Sequence, residues 1–469
     1  MPGKVDVPDQ AQLVVVGGGP GGYHAAFAAA DRGLSVMLVD PAENPGGVCV
    51  YRGCIPSKAL LHVAKVIGEA AESSTVGIDF GAPQIDLDRV RSWKDEVIAK
   101  LTRGLSQKAQ QKNVPHVHGT ARLTGPHTLQ ITTADGTLSE LKFEQAILAT
   151  GSRPIMLPGT KPSARVMNSS GALDLAEVPD SLLVVGGGYI GLELGSAYAA
   201  LGSTVSVVEM TAGLLPGCDR DLVSVLKRRL DKKFAAIMLN TRVEGMDEGP
   251  DGVTVTFADK QGSRSETFAK VLIAIGRRPN TEDLGLEAAG ITLDDHGFVV
   301  VDAQRRTAAP HIFAIGDMAG QPMLAHKAYR EADVAAAAAA DGKDVYDPRA
   351  IPAVVFTDPE IAWCGLTETE ARDQGRKVKT AKLPWRGNGR TLTLGRDDGM
   401  TKIIADPDTE AVLGLAVVGP GAGELIAEGV LAMEMAATVE DLRQTIHPHP
   451  TLSETVFDAA HSLPRSEAP

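Results

Sequence analysis

The stretch LVVVGGGPGG, residues 13–22, decides the fold of this chain, because it connects an apolar run of strand length directly to a glycine-rich turn. An Ala-rich helical segment follows to about Ala30, and a second apolar run, SVMLV at 35–39, ends at Asp40. Strand, glycine turn, helix, strand and acid in this order are typical of a dinucleotide-binding α/β unit. A chance glycine turn is the alternative, but it would not explain the complete order of elements.

Each part of this pattern has a physical role. We predict that Gly17 forms the tight turn, that Gly19 lets the backbone approach a pyrophosphate, and that Gly22 lets the helix pack closely on the strand. The helix N-terminus offers backbone donors and the positive end of its dipole to the phosphates. Asp40 is placed to accept hydrogen bonds from ribose hydroxyls.

The same pattern recurs in LLVVGGGYIG, residues 182–191, followed by a helix to about Ala200 and a strand at 205–208 that ends at Glu209. The ends of the two units also match, ATGSRP at 149–154 and AIGRRP at 274–279. An internal repeat of this kind predicts two dinucleotides. Because an acid at position 209 accepts from a 2′-hydroxyl and repels a 2′-phosphate, we expect NAD rather than NADP at the second site. An exposed acid without a nucleotide role is the alternative.

The stretch GGVCVYRGCIPSK, residues 46–58, holds two of the four cysteines in 469 residues. In an ideal α-helix, Cα atoms five residues apart lie about 8.6 Å from each other, whereas a disulfide needs roughly 4.4–6.8 Å. A disulfide between Cys49 and Cys54 therefore requires a distorted turn, which Gly53 permits, and such a bond would be reducible. From the spacing alone, two unrelated buried thiols are the alternative.

The bulk composition, with 43% hydrophobic and 22% charged residues, is that of a globular protein, and the length suits about three or four domains. The net charge of −13 and the 4% aromatic content disfavour nucleic acid and would suit a basic protein partner. The first dozen residues lack the apolar core of a signal peptide, and no apolar run approaches the ~18–20 residues of a membrane span. With so few cysteines, we expect a cytoplasmic protein that binds neither nucleic acid nor a membrane.

From about residue 347 the sequence pattern changes to that of an α+β domain without a nucleotide loop. We expect strands at 351–359, 400–404 and 412–418 and a helix at 421–438. It carries TIHPHPTLSE at 445–454, in which His449 is a candidate base and Glu454 its orienting acid. A rigid surface turn is the alternative for this stretch. Upstream, AIGD at 314–317 places Asp317 to bind sugar or ribitol hydroxyls, with a simple helix N-cap as the alternative.

In combination, these motifs resemble the pyridine nucleotide–disulfide oxidoreductases, and among them the enzymes that oxidise dihydrolipoamide. The similarity extends from Leu13 to about Glu454, through the first glycine loop, GCIPSK at 53–58, ATGSRP, GGGYIGLELG at 186–195, GRRPNT at 276–281, AIGD and HPTLSE at 449–454. The resemblance implies an α/β fold with two Rossmann-like domains and a C-terminal α+β domain. Its four parts would be an FAD domain at 1–154, an NAD domain at 155–275, a central domain at 276–346 that completes the FAD site, and an interface domain at 347–469 that forms a homodimer.

The resemblance also implies roles for single residues. Cys49 would exchange with substrate thiols, Cys54 would lie beside the flavin, and His449, held by Glu454, would be the base that reaches the disulfide of the other subunit. Lys58 would lie near the flavin ring and pair with Glu193, while Tyr189 would shield the flavin until the nicotinamide arrives. The implied FAD contacts are Gly17, Gly19, Gly22, Asp40, Lys58, Gly119, Thr150, Gly151, Ser152, Asp317, Met323, Leu324, Ala325 and His326; the implied NAD contacts are Gly186, Gly188, Tyr189, Gly191, Glu209 and Gly276. No metal is implied.

The implied activity is NAD-dependent oxidation of dihydrolipoamide carried by a separate partner, the acyltransferase subunit of a 2-oxo acid dehydrogenase complex or the lipoyl protein of glycine cleavage. A glutathione-reductase-like enzyme is expected to use NADP, against which Glu209 argues. A mercuric reductase needs a C-terminal cysteine pair, and no cysteine follows Cys364. A catalytically silent flavoprotein that serves as a redox or interaction module is the alternative from a different class.

The chain also departs from the family pattern. Asp40 stands where glutamate is usual, which shortens its reach to the ribose. Val50-Tyr51-Arg52 replaces the commoner Leu-Asn-Val between the cysteines, which adds bulk and charge beside the disulfide. Cys218 and Cys364 match no catalytic motif, and we interpret them as spectators.

Overall fold

The computed structural model describes residues 7–465 of the chain. Within this range the strands are β1 (Gln10–Val16), β2 (Val36–Asp40), β3 (His116–Gly125), β4 (Thr128–Thr133), β5 (Leu138–Leu148), β6 (Ser152–Pro154), β7 (Val166–Asn168), β8 (Ser181–Val185), β9 (Thr204–Val208), β10 (Ala236–Met238), β11 (Arg242–Gly249), β12 (Gly252–Asp259), β13 (Gly262–Phe268), β14 (Lys270–Ile273), β15 (Arg277–Pro279), β16 (Ile312–Ala314), β17 (Ala353–Val355), β18 (Glu360–Gly365), β19 (Lys379–Pro384), β20 (Met400–Ala405) and β21 (Val412–Gly419).

The α-helices in the same range are α1 (Pro20–Asp31), α2 (Gly47–Arg52), α3 (Cys54–Glu72), α4 (Leu87–Gln111), α5 (Ser169–Asp174), α6 (Tyr189–Leu201), α7 (Arg220–Lys233), α8 (Ala325–Ala339), α9 (Glu368–Asp373), α10 (Gly389–Thr393), α11 (Ala422–Glu434), α12 (Val439–Gln444) and α13 (Glu454–Ser462). Short 3-10 turns span Ser73–Val76, Leu286–Ala289, Gly316–Ala319 and Trp385–Gly387. Among these described helices, none is both long and apolar enough to cross a bilayer.

The chain folds into two compact units, each built from separate stretches. The first combines the described residues up to Leu60 with Asp86–Ile155 and Gly276–Asp347. The second combines Leu61–Ile85, Met156–Ile275 and the described residues from Pro348 onward. The assignment of the four expected segments to FAD, NAD, central and interface domains remains a prediction.

In the first unit, β1 lies between β2 and β5 and pairs with both in parallel, and β16 continues the parallel set beyond β5. Strand β3 pairs in parallel with β2, and β4 connects β3 to β5 in antiparallel pairing. Leu13 and Val15 of β1 belong to one buried core, and Val14 and Val16 belong to another. A strand that is buried on both faces needs a continuous apolar run, which explains the opening sequence.

The described residues of the second unit form three sheets. Five parallel strands in the order β10-β9-β8-β14-β7 carry the second glycine loop, and β11, β12 and β13 form an antiparallel sheet. The third sheet is antiparallel, in the order β17-β18-β21-β20-β19. These sheets and the Rossmann-like sheet of the first unit confirm the predicted α/β architecture with a C-terminal α+β part.

The helix expected at 421–438 is shorter in the structure, because α11 ends at Glu434. Ala436 takes a left-handed conformation with φ 54°, which stops the helix. The side chains of Thr438 and Asp441 then form a capping box that starts α12. The sequence prediction missed this break because neither glycine nor proline marks it.

Candidate redox and dinucleotide sites

The first and last glycines of both loops are required by the packing of the protein itself. Gly17 and Gly186 have φ values of 105° and 110°, and a Cβ on either would lie 2.3 or 2.5 Å from a backbone oxygen at the end of the neighbouring strand. A Cβ on Gly22 or Gly191 would lie 1.7 or 2.3 Å from the carbonyl oxygen of the first glycine. The predicted tight turn and close helix packing are therefore present in both loops.

The middle glycines differ, because nothing in the protein requires them. Gly19 and Gly188 have φ values of −72° and −79°, which any residue adopts. A Cβ on Gly188 would meet no protein atom within 4 Å, and one on Gly19 would meet only Gly47 Cα at 3.9 Å. Glycine at these positions leaves room for a group from outside the protein at a helix N-terminus, which fits the pyrophosphate of a dinucleotide.

The acids at the two strand ends make matching contacts. Asp40 accepts backbone hydrogen bonds from Gly18 and Ala42, and Glu209 accepts them from Gly187 at 2.8 Å and from Thr211 at 2.8 Å. Each carboxylate is thus fixed through both of its oxygens, and each oxygen keeps acceptor capacity for a ribose hydroxyl. Asp40 makes the same loop contact as Glu209 despite its shorter side chain, because Gly18 lies close to it.

The redox stretch contains the predicted distorted turn. Helix α2 ends at Arg52, Gly53 has φ −147° and ψ −115°, and Cys54 begins α3. A Cβ on Gly53 would lie 2.8 Å from the Val48 oxygen and 3.2 Å from Cys49 Cα. Glycine is therefore needed here for the close approach of the two helical segments, which interrupts the regular spacing between the two cysteines.

Cys49 is half-buried and Cys54 is exposed. A hydrogen bond with Cys54 and then burial raise the pKa of Cys49, while the charge of Lys58 lowers it. The largest influence on the Cys49 pKa therefore comes from Cys54, the partner that thiol–disulfide chemistry requires.

The first two residues of the redox stretch, Gly46 and Gly47, contact the first glycine loop. The Gly46 amide donates to the Gly18 oxygen at 2.7 Å. Gly47, with φ 58°, packs so closely that a Cβ on it would lie 2.4 Å from Gly19 Cα. Tyr51, one of the unusual residues between the cysteines, donates from its hydroxyl to the Asn44 oxygen at 3.0 Å. The cysteine pair is therefore fixed next to the predicted pyrophosphate loop.

Thr150, Ser152 and Asp317 come together in the first unit. Ser152 Oγ donates to Asp317 Oδ2 at 2.5 Å and accepts from Arg277 Nε at 2.8 Å. Asp317 lies within the 3-10 turn that follows Ile315, so the N-cap alternative is wrong. The sequence analysis did not single out Asn280, whose backbone carbonyl oxygen accepts from Thr150 Oγ1 at 2.7 Å. Asn280 directly follows Arg278-Pro279, which repeats the Arg153-Pro154 pair, and this position could have indicated it.

The remaining predicted flavin contacts lie in the same unit. Gly119 lies on β3 where a Cβ would be 2.6 Å from the Thr132 oxygen, and Gly151 has φ 71°. The matching ends of the two repeated units form strands β6 and β15, which pair with each other. Strand β15 follows directly after Gly276. The other four predicted residues surround the start of α8, namely Met323, Leu324, Ala325 and His326.

In the second unit, Tyr189 begins α6 and is 40% exposed, while Glu193 on the same helix is buried. Glu193 Oε1 accepts the Phe356 amide at 3.0 Å. The pairing of Lys58 with Glu193 remains a prediction.

His449 and Glu454 form the expected pair. His449 Nδ1 lies 2.8 Å from Glu454 Oε1, and the Thr451 amide donates to Glu454 Oε2 at 2.7 Å. The Thr451 amide and then His449 lower the pKa of Glu454. The His449 side chain is 76% exposed, and the His449–Pro450 peptide bond is cis.

Sequence reasoning missed the neighbouring pair of His447 and Glu428. His447 Nε2 lies 2.7 Å from Glu428 Oε1 and its Nδ1 lies 3.0 Å from the Thr445 oxygen, with the His447 side chain 6% exposed. This pair anchors the segment that leads into His449. The sequence did not indicate this pair, because Glu428 lies 19 residues before His447, on α11.

One group of acids among the described residues has the spacing of a metal site, Asp219, Asp221 and Glu368. The ammonium group of Lys402 lies at its centre, 2.9, 2.7 and 2.7 Å from the three carboxylates. Lys402 thus places a positive charge at the centre of this cluster, and Lys382 also contacts Asp221 and Glu368.

Comparison with known proteins agrees with this geometry. Residues 11–332 match the family model described as pyridine nucleotide-disulphide oxidoreductase, and residues 351–460 match its dimerisation domain. The chain is 48% identical over 450 residues to a protein named dihydrolipoyl dehydrogenase from Haemophilus influenzae, covering 96% of this chain and 94% of that protein. A dihydrolipoyl dehydrogenase from Geobacillus stearothermophilus is 43% identical, with coverage of 97% and 96%.

Two solved structures are also similar. The crystal structure of LpdA from Mycobacterium tuberculosis matches with a TM-score of 0.89 and 31% identity, over 96% of this chain and 99% of that one. The HOCl-induced flavoprotein disulfide reductase RclA from Escherichia coli matches with a TM-score of 0.85 and 28% identity, over 96% and 99%. These matches span both glycine loops, the cysteine pair and the dimerisation domain, and they confirm the predicted cofactors as FAD and NAD. The chain therefore belongs to the pyridine nucleotide-disulphide oxidoreductase family.

Proposed function

We propose that this protein is a dihydrolipoyl dehydrogenase, which catalyses dihydrolipoamide + NAD⁺ → lipoamide + NADH + H⁺. The observation that carries the proposal is the cysteine pair held against the first glycine loop, where Gly46 donates to Gly18 and Gly47 packs on Gly19. The names of the relatives support the choice of substrate. The Glu209 carboxylate, which the Gly187 and Thr211 amides hold in place, supports NAD over NADP because it would repel a 2′-phosphate.

Bound FAD would supply the redox chemistry that links the cysteine pair to NAD⁺. His449 of the partner subunit takes the proton of one substrate thiol. The resulting thiolate attacks Cys49, which breaks the Cys49–Cys54 bond and leaves Cys54 as a thiolate. The second substrate thiol then attacks the substrate sulfur of the mixed disulfide, and its proton goes to the departing Cys49 sulfur. Lipoamide leaves as a cyclic disulfide, and the two electrons remain on the cysteine pair.

The proposal extends to partners and location. The dimerisation domain supports a homodimer. A lipoyl-bearing acyltransferase subunit of a 2-oxo acid dehydrogenase complex, or a glycine cleavage lipoyl protein, would present the substrate in the cytoplasm. Pull-down of the tagged chain followed by identification of lipoylated proteins tests the partner, and cell fractionation tests the location.

The activity is tested by comparing two substrate pairs on the purified protein. NADH with lipoamide should give turnover, and NADPH with glutathione disulfide should not; the opposite result would reject the assignment. For His449→Gln, we expect loss of lipoamide turnover with NADH-to-dye reduction retained, because only the thiol half-reaction needs the base. Cys54→Ser should abolish the long-wavelength charge-transfer band that limited reduction produces.

A further inference from the structure

Glu331 on α8 is a fully buried carboxylate with 0% exposure, and both of its oxygens have charged partners. Lys327, one turn earlier, places its ammonium 3.1 Å from Oε1 and 3.2 Å from Oε2, and Arg305 Nη1 lies 3.1 Å from Oε1. Moving a carboxylate out of water costs several kcal/mol unless such partners are provided. A buried charge of this kind needs a reason beyond packing.

Two of these charged groups, Glu331 and Lys327, contact one short turn. Glu331 Oε2 accepts the Gly316 amide at 2.7 Å, and Lys327 donates to the carbonyl oxygens of Gly316 at 3.2 Å and Gly320 at 3.0 Å. Both hydrogen-bonding groups of Gly316 are therefore held by charged side chains. Gly316 has φ 74°, a conformation that other residues rarely adopt.

The turn that is held in this way presents Asp317. Asp317 is the residue after Gly316 and is held on its other side by Ser152 Oγ through Oδ2. The same helix begins at Ala325, so that Lys327 and Glu331 also connect the turn to the first two turns of α8. The buried charges thus fix two segments that were predicted to contact the flavin, the turn of Asp317 and the start of α8.

We propose that Glu331, together with Lys327, is a positioning residue for FAD, which fixes the Gly316 peptide so that Asp317 faces the cofactor. The inference rests on the proposed function, because it takes the first unit as the FAD site. Its physical basis is preorganisation, since a turn that is already held in the bound geometry loses less freedom when the ligand binds. Glu331 would not touch the cofactor.

The test is reconstitution of apoprotein with FAD, followed by flavin fluorescence. In Glu331→Gln, the amide cannot accept from Gly316 and from both cations at once. We expect the FAD dissociation constant to rise about 10- to 100-fold. The matched control is Asp333→Asn on the same helix, whose carboxylate is 40% exposed and pairs with His24 at 2.8 Å; its FAD affinity should equal that of the wild type.

A triple variant, Arg305→Met with Lys327→Met and Glu331→Leu, separates positioning from simple stability, because it removes every charged group of the cluster. Replacing a buried ionic triad by apolar groups commonly restores stability, so the thermal midpoint of the apoprotein should approach that of the wild type. FAD affinity should remain low, because Gly316 is no longer held. Wild-type affinity in either variant would overturn the inference, and the triple variant decides the matter if Glu331→Gln does not fold. Failure of the wild-type protein itself to bind FAD would reject the proposed function.

Discussion

At the scale of single residues, Gly188 is a glycine that the fold does not require but that a bound nucleotide would require. Its φ of −79° suits any residue and no protein atom lies within 4 Å of a Cβ built on it. We predict that Gly188→Ala folds with unchanged stability but raises the KM for NADH about tenfold or more, because the methyl group occupies the space of the pyrophosphate. Steady-state kinetics with a dye acceptor, together with a thermal melt, measures both effects.

Gly191 provides the contrast for that variant. A Cβ there would lie 2.3 Å from the Gly186 oxygen, so Gly191→Ala should lose stability before any effect on NADH can be assessed. If Gly188→Ala were as unstable as Gly191→Ala, or kept the wild-type KM, the assignment of the second loop to the dinucleotide would be wrong.

Glu454 is a second residue with a separable role. The Thr451 amide and His449 lower its pKa, so its carboxylate stays charged throughout the range in which histidines titrate. Glu454→Gln keeps the size but removes the charge that orients and supports the base. We expect kcat for lipoamide to fall about 10- to 100-fold.

The NADH-to-dye rate of Glu454→Gln serves as the control, because that half-reaction needs no base. It should stay at the wild-type value across the pH range. An equal loss in both assays would mean that Glu454 supports the fold and not the base.

At the scale of elements, Lys402 on β20 ties together the starts of α7 and α9. Its ammonium, with 0% exposure, contacts Asp219, Asp221 and Glu368, and Asp219 also accepts the Glu368 and Thr369 amides at the start of α9. Lys402→Met leaves these acids without their central cation. We predict a loss of about 3–5 kcal/mol in the free energy of unfolding, measured by denaturant titration.

Lys382→Met is the matched control for this element contact. Lys382 contacts Asp221 and Glu368 at 2.9 and 2.7 Å, but its side chain is 44% exposed. Its loss should cost less than about 1 kcal/mol. Equal losses for the two variants would show that burial of the cation does not decide its contribution.

At the scale of the whole molecule, Asp358 joins segments that are far apart in the chain. Its carboxylate contacts Arg229, Lys233 and Arg396, and Arg229 also pairs with Glu72 at the end of α3. Burial alone would raise the pKa of Asp358, but Arg396, Lys233 and Arg229 lower it to about 2. All of these groups lie in the second unit, which this network helps to hold together.

The pH dependence of stability follows from that lowered pKa. An unfolded aspartate has a pKa near 3.9, so the contribution of Asp358 is complete above that value and is lost as pH falls towards about 2. Asp358→Asn should destabilise the protein by about 1–2 kcal/mol at pH 7. The difference in the free energy of unfolding between wild type and variant should disappear as the pH falls from roughly 4 to 2. A gap that stayed constant over that range in acid unfolding would contradict this role.

Much of the architecture was predictable because the glycine loops are local devices. A strand, a tight turn and a helix N-terminus within about 25 residues specify their own backbone geometry. The Cys49–Cys54 spacing likewise predicted a distorted turn, and the structure shows it at Gly53. The end of α11 was not predictable in the same way, since a left-handed Ala436 carries no sequence signal.

The sequence by itself therefore determined the two nucleotide loops, their terminal acids, the cysteine pair and the pairing of His449 with Glu454. Only the tertiary structure decided which buried charges belong together. Lys402 and Asp219 are 183 residues apart, and Glu331 meets Arg305 and the Gly316 amide through the packing of α8 on its turn. The free energy of such contacts depends on burial and on partners supplied by distant segments, which exist only once the chain has folded.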